Sequence, residues 1–205
     1  MNISKKYSTY FTASEKPEIV EIGQASYVSV RGQGSPGTAV FYQKKQAIKE
    51  FVHALELKYA LTACSFTSRI VEIFYWFDEE ERADVNIGNF YTTLDLSLLH
   101  YRIAIRIPDY ITAENIVEIA RNRKDIFMVE DFELFNYTAG TCVQILHLGP
   151  FAEELQTLPV LQQFASDKGL KKSGMHHEIH LTNFEQGQSQ QHLQTILRDP
   201  VIKQA

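Results

Sequence analysis

The segment ASYVSVRGQG at residues 25–34 alternates apolar and polar residues around two valines and ends in two glycines. This pattern predicts a half-buried β-strand that closes in a tight turn. CVQILHLG at 142–149 has a similar pattern and aligns with YVSVRGQG at 27–34 at an offset of 115 residues. The two halves of the chain therefore begin in the same way.

The same order of elements follows in both halves. Apolar residues from Val40 to Tyr59 recur at helical spacing after Thr38, a candidate N-cap, and the segment 151–169 has helical spacing in the second half. VEIFYW at 71–76 aligns with HEIHLT at 177–182 at an offset of 106 residues. The remaining predicted elements are strands at 100–107 and 194–201, a short capped helix at 112–124 and a charged loop at 79–89.

The duplicated β-α-β-β unit predicts an α+β fold with pseudo-twofold symmetry. We expect a mainly antiparallel sheet with helices on one face and a ligand cleft on the other, because pockets form where packed units meet. The predicted domain division is a polar N-terminal leader at 1–20 and a single domain at 21–205. That domain consists of pseudo-repeats at about 25–110 and 138–202.

Composition excludes several classes of function. The formal charge of −5 and the absence of Lys/Arg runs longer than two argue against direct binding of nucleic acid. The sequence contains no signal-peptide pattern and no apolar window long enough for a membrane span. Cys64 and Cys142 have no paired spacing and are expected to be free thiols in a reducing cytoplasm.

Two acidic residues occupy matching places in the aligned strands, and both are candidate catalytic groups. The two-residue period of a strand puts Glu72 on one face of its strand, and it puts Glu178 on one face of the equivalent strand. We expect both carboxylates to enter one apolar groove, where their pKa values would separate into a general acid and a general base. The candidate substrate contacts around them are Trp76, Phe74, Tyr27, His176 and His180, with Tyr75 as a further wall residue.

Two other interpretations of these residues stay open. Both glutamates could lie on the surface or pair with arginines such as Arg31, Arg69 or Arg198. A metal could bind His176, Glu178 and His180. HEIH is one residue short of H-E-x-x-H, however, and no second histidine or cysteine cluster accompanies it, so we predict no metal.

Several motifs in the same order resemble the GyrI-like small-molecule-binding domain family. They are YVSVRGQGSPG, VEIFYW, IRIPDYIT, GTCVQILHLGPF, HHEIHL and TILRDPV, and they cover about residues 20 to 202. The resemblance implies a hydrophobic cleft with a central acidic residue, here Glu178, and an aromatic wall, here Tyr75 and Trp76. Within the family, the GP-F, HHEI and TILR motifs are similar to a stand-alone branch, the cyclopropanoid cyclopropyl hydrolases. His180 and Phe151 depart from that branch, in which tyrosines are usual.

That branch adds water to the strained cyclopropane of bulky aromatic, DNA-alkylating toxins. The resemblance therefore implies a detoxifying hydrolase in which Glu178 activates water, and Tyr75 or protonated Glu72 stabilises the substrate oxygen. No metal or organic cofactor is required. The alternative is a non-catalytic protein that sequesters bulky lipophilic or cationic drugs. A homodimer stays open, and binding to gyrase is disfavoured because no distinct docking segment is present.

Overall fold

The structure, a computed structural model, describes residues 1–77, 85–93 and 95–204. Residues 79–84 of the predicted charged loop lie outside this range. The strands are β1 Glu18–Gln33, β2 Val71–Trp76, β3 His100–Ile107, β4 Glu133–Leu148, β5 Leu170–Lys172, β6 His176–His180 and β7 Gln194–Lys203. The helices are α1 Ile3–Lys6, α2 Ala39–Tyr59, α3 Phe90–Thr93, α4 Ala113–Asn122 and α5 Glu154–Asp167, with short 3-10 turns at Val129–Asp131 and Phe151–Glu153.

Six strands form a closed ring. They hydrogen-bond in the order β4, β1, β3, β2, β6 and β7, and β7 pairs back to β4. Every pairing is antiparallel, and the short β5 adds to the end of β7 outside the ring. The sheet therefore has an outer surface and a lumen, and its six ring strands are paired on both sides.

The ring has the symmetry that the internal repeat predicts. The β1–β3 and β3–β2 pairings of the first half recur as β4–β7 and β7–β6 in the second. The two remaining pairings, β1–β4 and β2–β6, join the halves. The predicted α+β class with a duplicated β-α-β-β unit is thus confirmed.

Helices α2 and α5 cover the outer surface of the ring. The hydroxyl of Thr38 accepts a hydrogen bond from the Phe41 backbone N–H, so the predicted N-cap of α2 is correct. The buried face of α2 packs on outward-facing strand residues such as Val28 and Ile73, while α5 packs on a separate apolar cluster that contains Leu197. Burial of these apolar stripes is what holds the helices on the sheet.

One glycine of β1 is required by close packing. Gly32 pairs with Tyr101 of β3, and a Cβ atom at Gly32 would lie 2.1 Å from Cζ of the Tyr101 ring. The ring of Tyr101 packs in turn on Phe41 of α2, with 5.1 Å between ring centroids. Because only a residue without a side chain leaves room for Tyr101, Gly32 helps to seat α2 on the sheet.

The lumen is filled by side chains and is not an open channel. Tyr27, Phe74 and Ala104 form a buried cluster there, against which Phe135 packs. From the N-terminal segment, Tyr10 enters the same interior, although its surroundings in the sequence predict only a polar leader. Among the described residues, no helix is both long and apolar enough to cross a lipid bilayer.

Candidate functional site

The pairing of β2 with β6 decides which predicted residues meet. Ile73 lies directly opposite Glu178, and Tyr75 lies directly opposite His176, so all four side chains are on the outer face of the ring. Glu72 is one residue away from Ile73 and therefore points into the lumen. The prediction that Glu72 and Glu178 share one groove is wrong, because the sequence alignment that matched them was displaced by one residue.

An apolar cavity of about 420 Å³ lies on the outer face, under the helices. This position corrects the sequence prediction of a cleft on the face opposite the helices, which is closed off as the packed lumen of the ring. Of the predicted site residues, the cavity contains Glu178, Tyr75 and His180. Its lining comprises Pro36, Gly37, Phe41, Tyr42, Lys45, Tyr75, Tyr91, Leu96, Phe151, Ala152, Glu154, Leu155, Glu178, His180 and Gln190.

Glu178 is the buried anion of this cavity, with 3% of its surface exposed. Its Oε1 accepts a hydrogen bond from the hydroxyl of Tyr91 on α3, and its Oε2 lies 3.0 Å from Nε2 of His180. Burial by itself would raise the pKa of Glu178. The hydrogen bond and charge of His180, the charge of His176 and the Tyr91 hydroxyl outweigh burial and lower the pKa. Glu178 is therefore ionised at neutral pH.

A second carboxyl group, that of Glu154 at the start of α5, lies beside Glu178. Burial raises the pKa of Glu154 well above its usual value, and the charge of Glu178 and the hydrogen bond between the two groups raise it further. Two carboxylates in contact cannot both ionise easily, so Glu154 holds the proton and Glu178 the charge. The carboxyl group that lies beside Glu178 is therefore that of Glu154 and not that of Glu72.

Sequence patterns did not reveal Glu154. Acidic residues are common in the first turn of a helix, where they complement the helix dipole, so the FAEEL segment looks like an ordinary helix start. The position of Glu154 after the Gly149-Pro150 turn, at the end of a strand that neighbours β7, is the one signal that could have placed it near Glu178.

Lys45 of α2 supplies a cation to the same cavity. Burial lowers the pKa of Lys45 to about 8, and the nearby Lys49 lowers it too. Its ammonium lies 5.6 Å from the ring centroid of Tyr42 and 5.7 Å from that of Phe184. The cavity therefore combines one anion, one proton-bearing carboxyl group and one partly desolvated amine.

Tyr75 contributes a neutral hydroxyl to the cavity. Burial raises the pKa of Tyr75 well above its ordinary value, and the charge of Glu178 has the same effect. Tyr75 is also hydrogen-bonded to Tyr91, which in turn donates to Glu178. A chain of hydroxyl groups thus connects the cavity wall to the carboxylate.

His176 lies behind Glu178 and is not among the residues that line the cavity. Its Nδ1 is 2.9 Å from Oδ2 of Asp199, and its Nε2 is 3.9 Å from Oε1 of Glu178. Burial lowers the pKa of His176, but the Asp199 carboxylate and Glu178 more than compensate and the net shift is upward. His176 therefore stabilises the ionised form of Glu178 from a position outside the cavity lining.

The other predicted site residues lie away from the cavity. Phe74 and Tyr27 are packed together in the lumen, 5.5 Å apart between ring centroids, and Trp76 lines a shallow depression at one end of the ring. Glu72 accepts hydrogen bonds from Tyr10 at 2.5 Å and from His177 at 2.9 Å. The predicted aromatic wall is supplied instead by residues that sequence patterns did not select, chiefly Phe41, Tyr42, Tyr91 and Phe151.

Among the described residues, no three His, Cys, Asp or Glu side chains are arranged to hold a metal ion. The two oxygens of Glu178 are engaged by protein donors, and His180 uses its Nε2 for this purpose. The geometry is that of a hydrogen-bonded carboxylate at the wall of an apolar cavity.

Solved structures resemble this chain over almost its whole length. A Listeria innocua protein described as a hydrolase has 24% sequence identity and a TM-score of 0.79, and the match covers 98% of this chain and 100% of that one. An uncharacterized conserved protein from Listeria innocua has 22% identity and a TM-score of 0.80, covering 98% and 100%. The EcmrR C-terminal domain is more distant, with 15% identity, a TM-score of 0.58 and coverage of 92% and 98%.

These likenesses identify the architecture as the GyrI-like fold that the sequence motifs predict. No protein-family model matches the sequence, and no curated protein matches it.

Proposed function

We propose that this protein binds a bulky aromatic small molecule in the outer cavity and adds water to a strained cyclopropane of that molecule. The observation that carries the proposal is an ionised Glu178 in contact with a protonated Glu154 inside an apolar, aromatic cavity. Enzymes that add water need a base to take a proton from water and an acid or cation to stabilise the departing electrons. The cavity contains both.

Ligand binding would rest on burial of flat apolar surface. A volume of about 420 Å³ is in the range of small-molecule pockets, and rings of Phe41, Tyr42 and Phe151 form much of the wall. Such walls bind conjugated ring systems by area burial and by edge or face contacts. The few polar groups of the cavity would then fix the orientation of the ligand.

The proposed reaction begins with a water molecule next to Glu178. Glu178 takes a proton from this water while the water oxygen forms a bond to the methylene carbon of the cyclopropane. The bond between that methylene carbon and the spiro carbon breaks, and its electron pair moves through the conjugated system to the carbonyl oxygen. That oxygen becomes a phenolate and takes up a proton, and Glu178 returns its proton to solvent.

Lys45 and Tyr75 are the groups that we assign to the developing phenolate. An ammonium with a pKa of about 8 is charged at neutral pH and is acidic enough to protonate a phenolate. The Tyr75 hydroxyl is neutral because burial raises its pKa, so it can donate a hydrogen bond to the same oxygen. Glu154 holds its proton against Glu178 and so keeps the base in a defined orientation.

The test is incubation with a spirocyclopropyl cyclohexadienone alkylator, followed by mass spectrometry of the small molecule. The proposal predicts a product that is heavier by one water, and Glu178→Gln should bind the compound but form product at least about 100-fold more slowly. The matched control is Glu153→Gln, because Glu153 is an exposed glutamate next to Glu154 in the sequence. This variant should form product at the wild-type rate. Recovery of intact compound from wild-type protein in stoichiometric complex would refute hydrolysis and leave a sequestering protein.

Such a reaction would destroy the alkylating centre of the compound and thereby protect DNA. A cell that expresses the protein should survive a cyclopropane alkylator better than a cell that expresses Glu178→Gln. Equal survival of the two strains would contradict a detoxifying role that depends on turnover.

A further inference from the structure

A buried arginine lies on the opposite side of the sheet from the Glu178 cavity. Arg106 of β3 is 5% exposed, and no hydrogen bond from its guanidinium to any residue within 1–77, 85–93 and 95–204 is found. Its Nε is among the buried nitrogen atoms without a partner. A charged group that is taken out of water without a partner is costly, so this arrangement calls for an explanation.

The guanidinium group of Arg106 packs against two aromatic rings. Its Cζ lies 3.7 Å from the ring centroid of Tyr7 and 4.4 Å from that of Tyr10. These contacts fix the guanidinium but use its faces, and they leave its edge of N–H donors unengaged. The side chain is therefore oriented in advance for a ligand that meets it edge on.

Neighbouring charged groups have other partners. Arg102, four residues earlier on the same face of β3, donates to Ser29 and pairs with Glu133. The carboxylate of Glu72 is held by Tyr10 and His177. Arg198, also buried, donates to the side chain of Gln144 and to the backbone carbonyl of Tyr10. Among the buried arginines of the described residues, Arg106 is thus the one whose guanidinium has no hydrogen-bond partner.

Arg106 lines a cavity of about 410 Å³. The cavity is bounded by the N-terminal segment at Tyr7 to Tyr10 and by the Val20–Gln24 stretch of β1. One carboxylate, that of Glu21, also lines it and is engaged by the hydroxyl of Thr141. The walls thus include both apolar and polar side chains.

We propose that Arg106 anchors a second ligand site, which binds the carboxylate or phosphate group of a small organic anion. Two N–H donors on one edge of a guanidinium match two oxygens of such a group, and charge-assisted hydrogen bonds of this kind are the strong ones. The site is separate from the Glu178 cavity and does not depend on the proposed hydrolysis. The organic part of the ligand would lie along Val20 and Ile22.

The primary test is nuclear magnetic resonance of the arginine Nε–H groups during titration with sodium benzoate and, separately, with inorganic phosphate. Ionic strength is kept constant with sodium chloride, so that screening does not change. The proposal predicts a saturable shift of the Arg106 Nε–H signal with at least one of the two anions, and the preferred anion distinguishes a carboxylate from a phosphate ligand. Absence of a saturable shift with both would overturn it.

Variants provide an independent readout through thermal stability, since a ligand that binds the folded state raises the melting temperature. Arg106→Lys keeps the charge but loses the paired donors, so affinity for the anion should fall by about 10-fold or more. The matched control is Arg121→Gln, an exposed arginine of α4, which should bind as wild type does. Equal affinity of Arg106→Lys and wild type would refute the proposal, and this variant is chosen because it preserves the cation between the two tyrosines.

Discussion

Replacing Lys45 by methionine is expected to stabilise the fold while it impairs the proposed reaction. The pKa of Lys45 falls from 10.5 to about 8 in the folded protein because of burial. At about 1.4 kcal/mol per pH unit, keeping this amine charged in the folded state costs about 3 kcal/mol at neutral pH. The ring contacts of the ammonium with Tyr42 and Phe184 offset about 1 kcal/mol of this cost. The free energy of unfolding of Lys45→Met should therefore be about 2 kcal/mol higher than that of the wild type.

The pH dependence provides a second signature. Between about pH 8 and 10.5 the unfolded chain holds a proton on Lys45 that the folded chain has lost. The free energy of unfolding of the wild type therefore rises through this interval, and the advantage of Lys45→Met shrinks. Urea denaturation at pH 7 and pH 10, followed by circular dichroism, measures both effects.

Lys58→Met is the matched control, because Lys58 is on the same helix and pairs with Glu118 at the surface. Its change in stability should stay within about 0.5 kcal/mol, as surface ion pairs contribute little. The reasoning fails if Lys45→Met is no more stable than wild type at pH 7. It also fails if the free energies of unfolding of the two proteins change equally between pH 7 and pH 10. In the hydrolysis assay, loss of the cation should slow product formation by about 100-fold.

Three further changes test the site and its scaffold. Tyr91→Phe removes a hydrogen bond to the charged form of Glu178, so the acid limb of the pH–rate profile should move up by about one pH unit. Glu154→Gln should keep the fold but abolish the infrared band of a protonated carboxyl group at pH 7, because Glu154 is the group that holds the proton. Gly32→Ala should destabilise by about 1–3 kcal/mol in urea, since the new Cβ collides with Tyr101.

Each of these changes has its own control. Tyr59→Phe loses a hydroxyl that bonds to Asn115, away from the cavity, and should not move the pH–rate profile. A protonated-carboxyl band that persists in Glu154→Gln would assign the proton to another group. Gly23→Ala places a Cβ in open space, so a loss as large as that of Gly32→Ala would mean that the collision with Tyr101 is not the cause.

The sequence predicts more of the fold than of the candidate site. Helix α2 follows from apolar spacing and from its cap at Thr38, both of which are local signals. The repeated order of elements predicted the symmetry, but closure of the ring depends on β7 meeting β4, a contact between distant segments that no short pattern encodes.

The error over Glu72 shows why sites are harder to predict. The alignment of VEIFYW with HEIHLT gives Glu72 and Glu178 the same place in the two repeats, whereas the strand register puts Ile73, and not Glu72, on the same face of the sheet as Glu178. A displacement of one residue in a strand exchanges its two faces, so a small error in alignment became a complete error in location. Glu154 could not be identified either, because its unusual protonation depends on a neighbour 24 positions away in the sequence, Glu178.

The closed ring also constrains how the chain folds as it is synthesised. Strand β7 pairs with both β4 and β6, so the circle of hydrogen bonds is incomplete until residues 194–203 have left the ribosome. Until then, β4 and β6 each present an unpaired edge that another nascent chain could extend. Holding the last strand back, for example with a translational arrest sequence, should therefore leave a chain that needs chaperones, although most of its residues have already been made.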